Sequence, residues 1–144
     1  MSDNREYPSR PWVGVGVVVW KGDEVLLVRR GRHPRKGEWS IPGGGQALGE
    51  TVFEAAIREV REETGLIVRP IGIVTVVDAI LRDADERPQF HYTLIEVNAE
   101  WTAGEARAAD DVDDVRWVHP VEAVDFVKWD ETLRVIEMAR QARV

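Results

Sequence analysis

The chain has 144 residues, of which 44% are hydrophobic and 31% are charged, with no cysteine and a formal net charge of −7. This length predicts one domain with one core, and the apolar fraction excludes a disordered chain. The lack of cysteine excludes disulfides and thiolate metal sites, and no apolar run reaches the roughly 20 residues of a membrane helix. We therefore expect a single domain over residues 1–144, with residues 1–11 extended, in the cytoplasm and without a membrane partner.

The charge is unevenly distributed. Residues 96–125 account for the whole acidic surplus, whereas residues 29–36 form a basic tract. A net negative charge argues against nucleic acid as a partner, because a phosphate backbone is bound by basic surfaces. The pattern favours a small anion bound together with a divalent metal. The alternative is that both charged runs are solvated surface.

The first half of the chain predicts a hairpin followed by a helix. β-Branched residues over 13–20 indicate a buried strand, which a turn connects to a second strand over 24–29. A polar loop follows, and the glycine-rich stretch 39–45 reads as a shaped loop rather than a packed element. Residues 51–64 predict a helix that ends at a C-cap glycine, Gly65. Its apolar stripe comprises Phe53, Ile57, Val60 and Thr64.

The second half of the chain predicts more strands and two closing helices. Strand-like patterns cover 67–77, 90–100 and 115–118, with a charged loop over 82–88 and an acidic loop over 101–114. Helical patterns cover 120–126 and 130–142. The second of these offers Leu133, Ile136, Met138 and Ala139 for packing. Strands mixed with helices without strict alternation indicate an α/β or α+β layered domain.

Three glutamates share one face of the predicted helix over 51–64. Glu59, Glu62 and Glu63 are spaced i, i+3 and i+4, in the last turns, where the helix dipole disfavours negative charge. Like charges at this spacing repel one another, and a hard divalent cation would compensate them. The alternative is a solvated acidic face with Arg58 and Arg61 as ion-pair partners. The glycine loop and the basic tract just upstream favour phosphate chemistry.

The same segment resembles the Nudix box. The matching positions are Gly44, Glu50 and the run Arg58-Glu59-Val60-Arg61-Glu62-Glu63-Thr64-Gly65-Leu66, so that the box spans residues 44–66. The residues that lead into it, Trp39-Ser40-Ile41-Pro42-Gly43, also resemble that family. The resemblance extends from about residue 12 to the C-terminus. It implies the Nudix fold, an α/β/α sandwich in which a mixed sheet lies between helices.

The resemblance also implies an activity and a set of site residues. Nudix enzymes cleave the pyrophosphate linkage of nucleoside diphosphate derivatives with water and Mg²⁺ or Mn²⁺. Glu59, Glu62 and Glu63 would be the principal metal ligands, with Glu50 as an accessory group. Arg58 would hold a box carboxylate. The glycines Gly43, Gly44 and Gly45 would shape the loop, and the carbonyl of Gly43 or Gly44 would be a further metal ligand.

Other candidate residues lie outside the box. Asp111, chosen among Asp110, Asp111, Asp113 and Asp114, is the candidate for one more metal ligand or base; the alternative is a solubilising acidic loop. Trp39 is a candidate for stacking on the substrate, the alternative being a packing role. The candidates for contacts with phosphate or ribose are Arg29, Arg30, Arg35 and His91. For each of these the alternative is an ordinary surface or edge-strand residue.

Several functions remain open at this point. The segment from His91 to Val97 resembles small bacterial sequences described as ADP-ribose pyrophosphatases, which favours an ADP-ribose-like substrate. A MutT-like hydrolase of (deoxy)nucleoside triphosphates is the alternative. A nucleotide-sensing Nudix module that binds without cleaving, and an acidic domain that binds a protein through residues 96–125, are two others. The expected partner is a small nucleotide, and the chain is either a monomer or a homodimer.

Overall fold

The computed structural model describes residues 5–143, so that part of the predicted N-terminal segment, residues 1–4, lies outside the described residues. Residues 5–11 carry no helix or strand. The helices are α1 (Val52–Thr64) and α2 (Asp130–Ala142), and a 3₁₀ helix spans Pro120–Asp125. The strands are β1 (Trp12–Lys21), β2 (Glu24–Arg30), β3 (Trp39–Ser40), β4 (Gly43–Gly45), β5 (Ile67–Arg82), β6 (Pro88–Ala103) and β7 (Val112–Val118).

The seven strands of the described chain form one mixed sheet. Its main path runs β3-β2-β1-β6-β5, while β4 pairs with β1 and β7 pairs with β2. The pairing of β1 with β6 is parallel, and the other pairings are antiparallel. One edge of β1 serves two partners, because Gly14–Gly16 pair with β4 whereas Trp20 and Lys21 pair with β2. This divided edge holds the glycine loop at the centre of the sheet.

Each face of the sheet carries its own apolar cluster. On one face Val15, Val17 and Val19 pack with Ala56 and Val60 of α1. On the other face residues of β1 and β2 pack with α2, through Val18, Trp20, Leu27, Val135 and Ile136. Strands covered on both faces read as continuous apolar runs, which is why β1 and β2 are visible in the sequence. Each fully buried valine or leucine contributes about 1.5–3 kcal/mol.

The helix α1 is found where the sequence predicts it, with a different buried face. Thr51 forms a capping box with Glu54, and Gly65 ends the helix with φ of 77°. Val60 and Thr64 are buried as expected, but Phe53 is 39% exposed. The buried face instead contains Ala55, Ala56 and Glu63. It is rotated by roughly 70° toward the glutamates relative to the predicted stripe, because two small alanines allow close approach to the sheet.

Residues 39–45 are paired strands rather than the unpaired loop expected from their composition. Trp39 and Ser40 pair with β2, and Gly43–Gly45 pair with β1. The glycines are needed for this close approach, since a β-carbon at Gly43 would lie 2.9 Å from the Cα of Gly16. Glycine has no side-chain pattern, so the sequence does not reveal the pairing.

Strands β5 and β6 are longer than their apolar patterns. Each has 16 residues, and the turn between them occupies residues 83–87. The outer ends of the two strands pair with each other, as in the pairs Ile80–His91 and Leu81–Phe90. At the opposite end of the two strands Ile67 pairs with Ala103, and β7 begins at Val112, so the acidic loop expected over 101–114 is shortened to residues 104–111.

The two helical segments predicted at the C-terminal end of the chain are found where the sequence predicts them. The predicted helix over 120–126 is a 3₁₀ helix, and α2 is found at 130–142. In α2, Ile136 and Ala139 are buried and Leu133 packs at the margin of the core, whereas Met138 is only half-buried. Val135 takes the central position. Among residues 5–143 no helix is long and apolar enough to span a membrane.

Candidate functional site

Arg58 of α1 joins the glutamates of the helix to the preceding loop. Its Nε and Nη2 donate to the two carboxylate oxygens of Glu50, at 2.6 and 2.9 Å. Its Nη1 donates to Glu59 at 2.9 Å and to Glu62 at 3.2 Å. The hydrogen bonds from Arg58 hold the pKa of Glu50 below its usual range. One guanidinium therefore fixes three carboxylates through charge-assisted hydrogen bonds.

Glu63 occupies a different environment from the other box glutamates. It is 6% exposed, and its Oε1 accepts a hydrogen bond from the backbone N–H of Gly43 at 3.1 Å. Burial raises the pKa of Glu63 to about 8; the Gly43 hydrogen bond opposes the rise, and the negative charge of Glu59 adds to it. Burial also raises the pKa of Glu59, against the influence of Arg58. Two box carboxyls are therefore held in surroundings that favour protonation unless positive charge arrives.

The glycine strand β4 makes room for these carboxyls. A β-carbon at Gly44 would lie 2.5 Å from the carboxyl carbon of Glu59, so any larger residue there would occupy the space of that carboxyl. The carbonyl of Gly45 accepts a hydrogen bond from Arg58 Nη2 at 2.9 Å. Arg5 also lies against Gly45, and its guanidinium stacks 5.0 Å from the centre of the Trp12 ring. Arg5 is not predictable from the sequence, because an isolated arginine at this position carries no motif.

The acidic segment before β7 lies against the basic tract. Asp111 pairs with Arg32 at 2.9 Å, and its carbonyl accepts a hydrogen bond from Gly31 at 2.7 Å. Asp111 is also close enough to Glu63 to contribute to its raised pKa. Arg29 pairs with Asp113 at 2.6 Å. Arg32 was missed from the sequence, although the opposite charges of residues 29–36 and 110–114 were a usable signal.

The remaining predicted substrate residues contact the protein itself. The Nε of Arg30 donates to the carbonyl of Pro34 at 2.8 Å, and Arg35 stacks 4.5 Å from the Trp129 ring centre. Trp39 packs edge-on against Phe126, with ring centres 5.6 Å apart. His91 is half-buried on the outer part of β6, opposite Ile80. These contacts agree with the packing and surface alternatives, and roles in substrate binding stay predictions.

The carboxylates suit a hard divalent cation in their chemistry. In the described part of the chain no three Asp, Glu or His side chains already converge as a metal centre. The donor set nevertheless consists only of oxygen, from Glu50, Glu59, Glu62, Glu63 and the loop carbonyls, which Mg²⁺ and Mn²⁺ prefer. A cation would also displace the protons that burial favours on Glu59 and Glu63. The residues present therefore fit such an ion.

Known proteins resemble this chain over most of its length. The NUDIX domain family matches residues 10–138. The chain belongs to the Nudix family. An ADP-ribose pyrophosphatase of Methanocaldococcus jannaschii is 38% identical over 101 residues, which cover 70% of this chain and 57% of that relative. The match thus spans little more than half of the relative's length.

Solved Nudix structures share the fold. The MutT NUDIX hydrolase from Burkholderia pseudomallei superposes with a TM-score of 0.75 at 26% identity, covering 90% of this chain and 98% of that chain. The Nudix domain of Shewanella oneidensis NrtR, crystallised with ADP ribose, gives a TM-score of 0.73 at 22% identity, covering 94% and 90%. The predicted Nudix fold, with a mixed sheet between helices, is confirmed.

Proposed function

We propose that this Nudix protein hydrolyses the pyrophosphate linkage of a small nucleoside diphosphate derivative, such as ADP-ribose, with Mg²⁺ or Mn²⁺. The observation that carries the proposal is the carboxylate cluster around Arg58, with Glu63 buried against the Gly43 N–H. A cluster of this kind is costly for stability alone, because buried carboxyls without a cation must be protonated or repel each other. We propose one domain for the whole chain and, from its cysteine-free composition, a cytoplasmic location.

The proposed metal ligands are Glu59, Glu62 and Glu63, with Glu50 and the Gly44 carbonyl as accessory groups. Arg58 orients Glu50, Glu59 and Glu62 before any ligand arrives. When bound, the cation neutralises phosphate oxygens and makes a water molecule more acidic. Asp111 and the box carboxylates are the candidate acceptors for the proton of the attacking water. Asp111 is 44% exposed at its side chain, so its pairing with Arg32 can open at little cost.

The proposed substrate class rests on similarity outside the box as well as on the site. The relative from M. jannaschii is named an ADP-ribose pyrophosphatase. The structural neighbour from B. pseudomallei is named a MutT hydrolase, which keeps a nucleoside triphosphate as the alternative substrate. The proposed substrate-binding residues are Arg29, Arg30, Arg35, Trp39, Gly43, Gly45 and His91. The proposed partner is a small nucleotide rather than a nucleic acid, with the chain acting as a monomer or a homodimer.

A substrate panel with two box variants tests the function. ADP-ribose, NADH, dinucleoside polyphosphates and the nucleoside triphosphates are incubated with Mg²⁺ or Mn²⁺, and products are separated by chromatography. We expect Glu62→Gln and Glu63→Gln to lower kcat/KM by about two orders of magnitude or more, while thermal unfolding shows an intact fold. Glu137→Gln, which changes an exposed ion pair on α2, is the matched control and should retain full activity.

Two results would contradict the proposal. Near-normal turnover in both box variants would exclude the assigned roles of these glutamates. Tight nucleotide binding in calorimetry without any product, with either metal, would identify a sensing module instead of an enzyme.

A further inference from the structure

Glu96 of β6 is a buried carboxyl that the proposed chemistry does not use. It is 5% exposed, and its side chain makes no hydrogen bond to any residue within 5–143. The charged group that faces it is Glu131 of α2, which has the same sign. Burial, with the Glu131 charge adding to it, raises the pKa of Glu96 to about 7. A buried carboxyl that has no partner among the described residues is costly, and a ligand that forms hydrogen bonds with it would offset that cost.

The carboxyl lies in a row that crosses the sheet from the glycine loop. In this row Gly43 of β4 pairs with Gly16 of β1, Gly16 with Glu96, and Glu96 with Thr75 of β5. A β-carbon at Gly16 would lie 3.0 Å from the Glu96 carboxyl carbon, so glycine provides the space in which the carboxyl rests. Two strand spacings, about 10 Å, separate Gly43 from Glu96. The row thus places the Glu96 backbone two strands from Gly43, whose N–H donates to Glu63 of the proposed pyrophosphate site.

The Glu96 oxygens are still accessible to a polar group. Trp12 Nε1 is the one fully buried side-chain polar atom without a partner in residues 5–143, so the Glu96 oxygens retain contact with solvent. They lie on the α2 face of the sheet, whose core cluster includes the half-buried rings of Trp39, Phe126 and Trp129. Aromatic side chains in the same cluster suit contact with a flat heterocycle.

The negative charge of Glu131 beside Glu96 disfavours an anionic ligand at this position. Glu131 stays ionised, since Arg134 donates to both of its carboxylate oxygens at 2.8 and 3.0 Å. A phosphate beside Glu131 and Glu96 would be repelled. A neutral carboxyl, by contrast, donates one hydrogen bond and accepts another, which matches a ring nitrogen beside an amino group. Adenine presents such an edge.

We propose that Glu96 binds the amino-bearing edge of the substrate's adenine base, on the α2 face of the sheet above Gly16. This inference rests on the proposed function and names the part of the substrate that lies away from the metal. Glu96 is thereby a specificity residue, whereas the box glutamates act on the pyrophosphate. Gln at position 96 has the same donor and acceptor as the neutral carboxyl and should replace it; Met has neither.

Equilibrium binding tests the proposal without turnover. Calorimetry measures AMP and purine riboside 5′-monophosphate, which lacks the amino group, against wild type, Glu96→Gln and Glu96→Met. We expect wild type and Glu96→Gln to prefer AMP by about ten-fold, and Glu96→Met to bind both ligands equally. Glu100→Gln, on the same strand but paired with Arg143, is the control and should behave as wild type.

Any of three results would overturn the proposal: wild type without a preference for AMP, Glu96→Met retaining that preference, or Glu96→Gln losing it. Thermal unfolding excludes misfolding, because replacing an unpartnered carboxyl by methionine should not lower the Tm at pH 8.

Kinetics separate this inference from the proposed function. With ADP-ribose, Glu96→Met should raise KM by about ten-fold and leave kcat within about two-fold of wild type. An equal KM in the two proteins would refute the role of Glu96 and leave the hydrolase intact. If no substrate of the panel is cleaved, the hydrolase proposal fails and AMP binding still decides the role of Glu96.

Discussion

The pKa values of individual carboxyls in this protein differ according to the groups that surround them. Glu50 is fixed by two hydrogen bonds from Arg58, and its pKa is lowered. Glu63 and Glu96 are buried with little positive charge nearby, and the pKa of each is raised. Sequence spacing predicts that Glu59, Glu62 and Glu63 share one face of the helix, but it could not show that Glu63 is buried. The buried face of a helix depends on which element packs against it. Here the small alanines of α1 let the sheet approach that face closely.

Replacing Glu96 by glutamine should change the pH dependence of stability. The pKa of Glu96 rises from 4.5 to about 7 on folding, so between these values the folded protein holds a proton that the unfolded chain releases. The contribution of Glu96 to the free energy of unfolding is therefore largest below pH 4.5 and falls by on the order of 3 kcal/mol as the pH rises through 7. Urea unfolding at pH 5 and pH 8 should show Glu96→Gln gaining by about that amount relative to wild type.

The difference between wild type and Glu96→Gln reports the pH-dependent contribution of Glu96 alone, because the raised pKa of Glu63 affects the stability of both proteins equally. A stability difference that is constant between pH 5 and pH 8 would show that Glu96 is ionised in the folded protein.

Among the elements, α1 carries both the box and the clearest signals of its ends. Thr51 and Glu54 exchange hydrogen bonds of 3.1 and 2.8 Å at the first turn, and Gly65 donates to Arg61 at 2.9 Å at the last. These signals are local, so the sequence predicts the helix boundaries well. In contrast, β3 and β4 have two and three residues and are held by pairing to distant strands. Such elements cannot be predicted from local pattern.

Replacing Thr51 by alanine should destabilise the protein by about 0.5–2 kcal/mol, because the N–H of Glu54 loses its acceptor. Chemical denaturation of Thr51→Ala measures this loss. Thr51→Ser retains the hydroxyl and is the matched control, which should lie within about 0.5 kcal/mol of wild type. Equal stability of all three proteins would mean that the capping box makes no net contribution.

Across the whole molecule, opposite charges that are far apart in sequence meet beside the site. Arg29 and Arg32 of the basic tract pair with Asp113 and Asp111. Both charged runs and the surplus of acid are visible in the sequence, but the pairing between them is not. Their pairing follows from the antiparallel contact of β2 with β7, a long-range feature of the sheet. The net charge of −7 thus lies on a molecule in which two arginines of the basic tract are already paired with aspartates.

Divalent metal should stabilise the folded protein. If Mg²⁺ binds the box carboxylates, a concentration about 100 times its Kd adds about 2.7 kcal/mol to the free energy of unfolding. For a chain of this size the Tm should rise by several degrees, about 4–10 °C. EDTA should reverse the rise in a thermal scan, with sodium chloride at equal ionic strength as the control. The combined variant Glu59→Gln/Glu63→Gln should show little response; a rise as large as that of wild type would place the metal elsewhere.

The parallel pairing of β1 with β6 has a consequence while the chain is being translated. Strand β1 is translated before β6 and can form its hairpin with β2 at once, but its other edge has no partner until residues 88–103 are translated. During this interval a strand whose residues from Val15 to Trp20 are all apolar except for one glycine has an open edge. Such edges promote association between chains. Nascent chains that stall before β6 are therefore the form of this protein that would most need a chaperone.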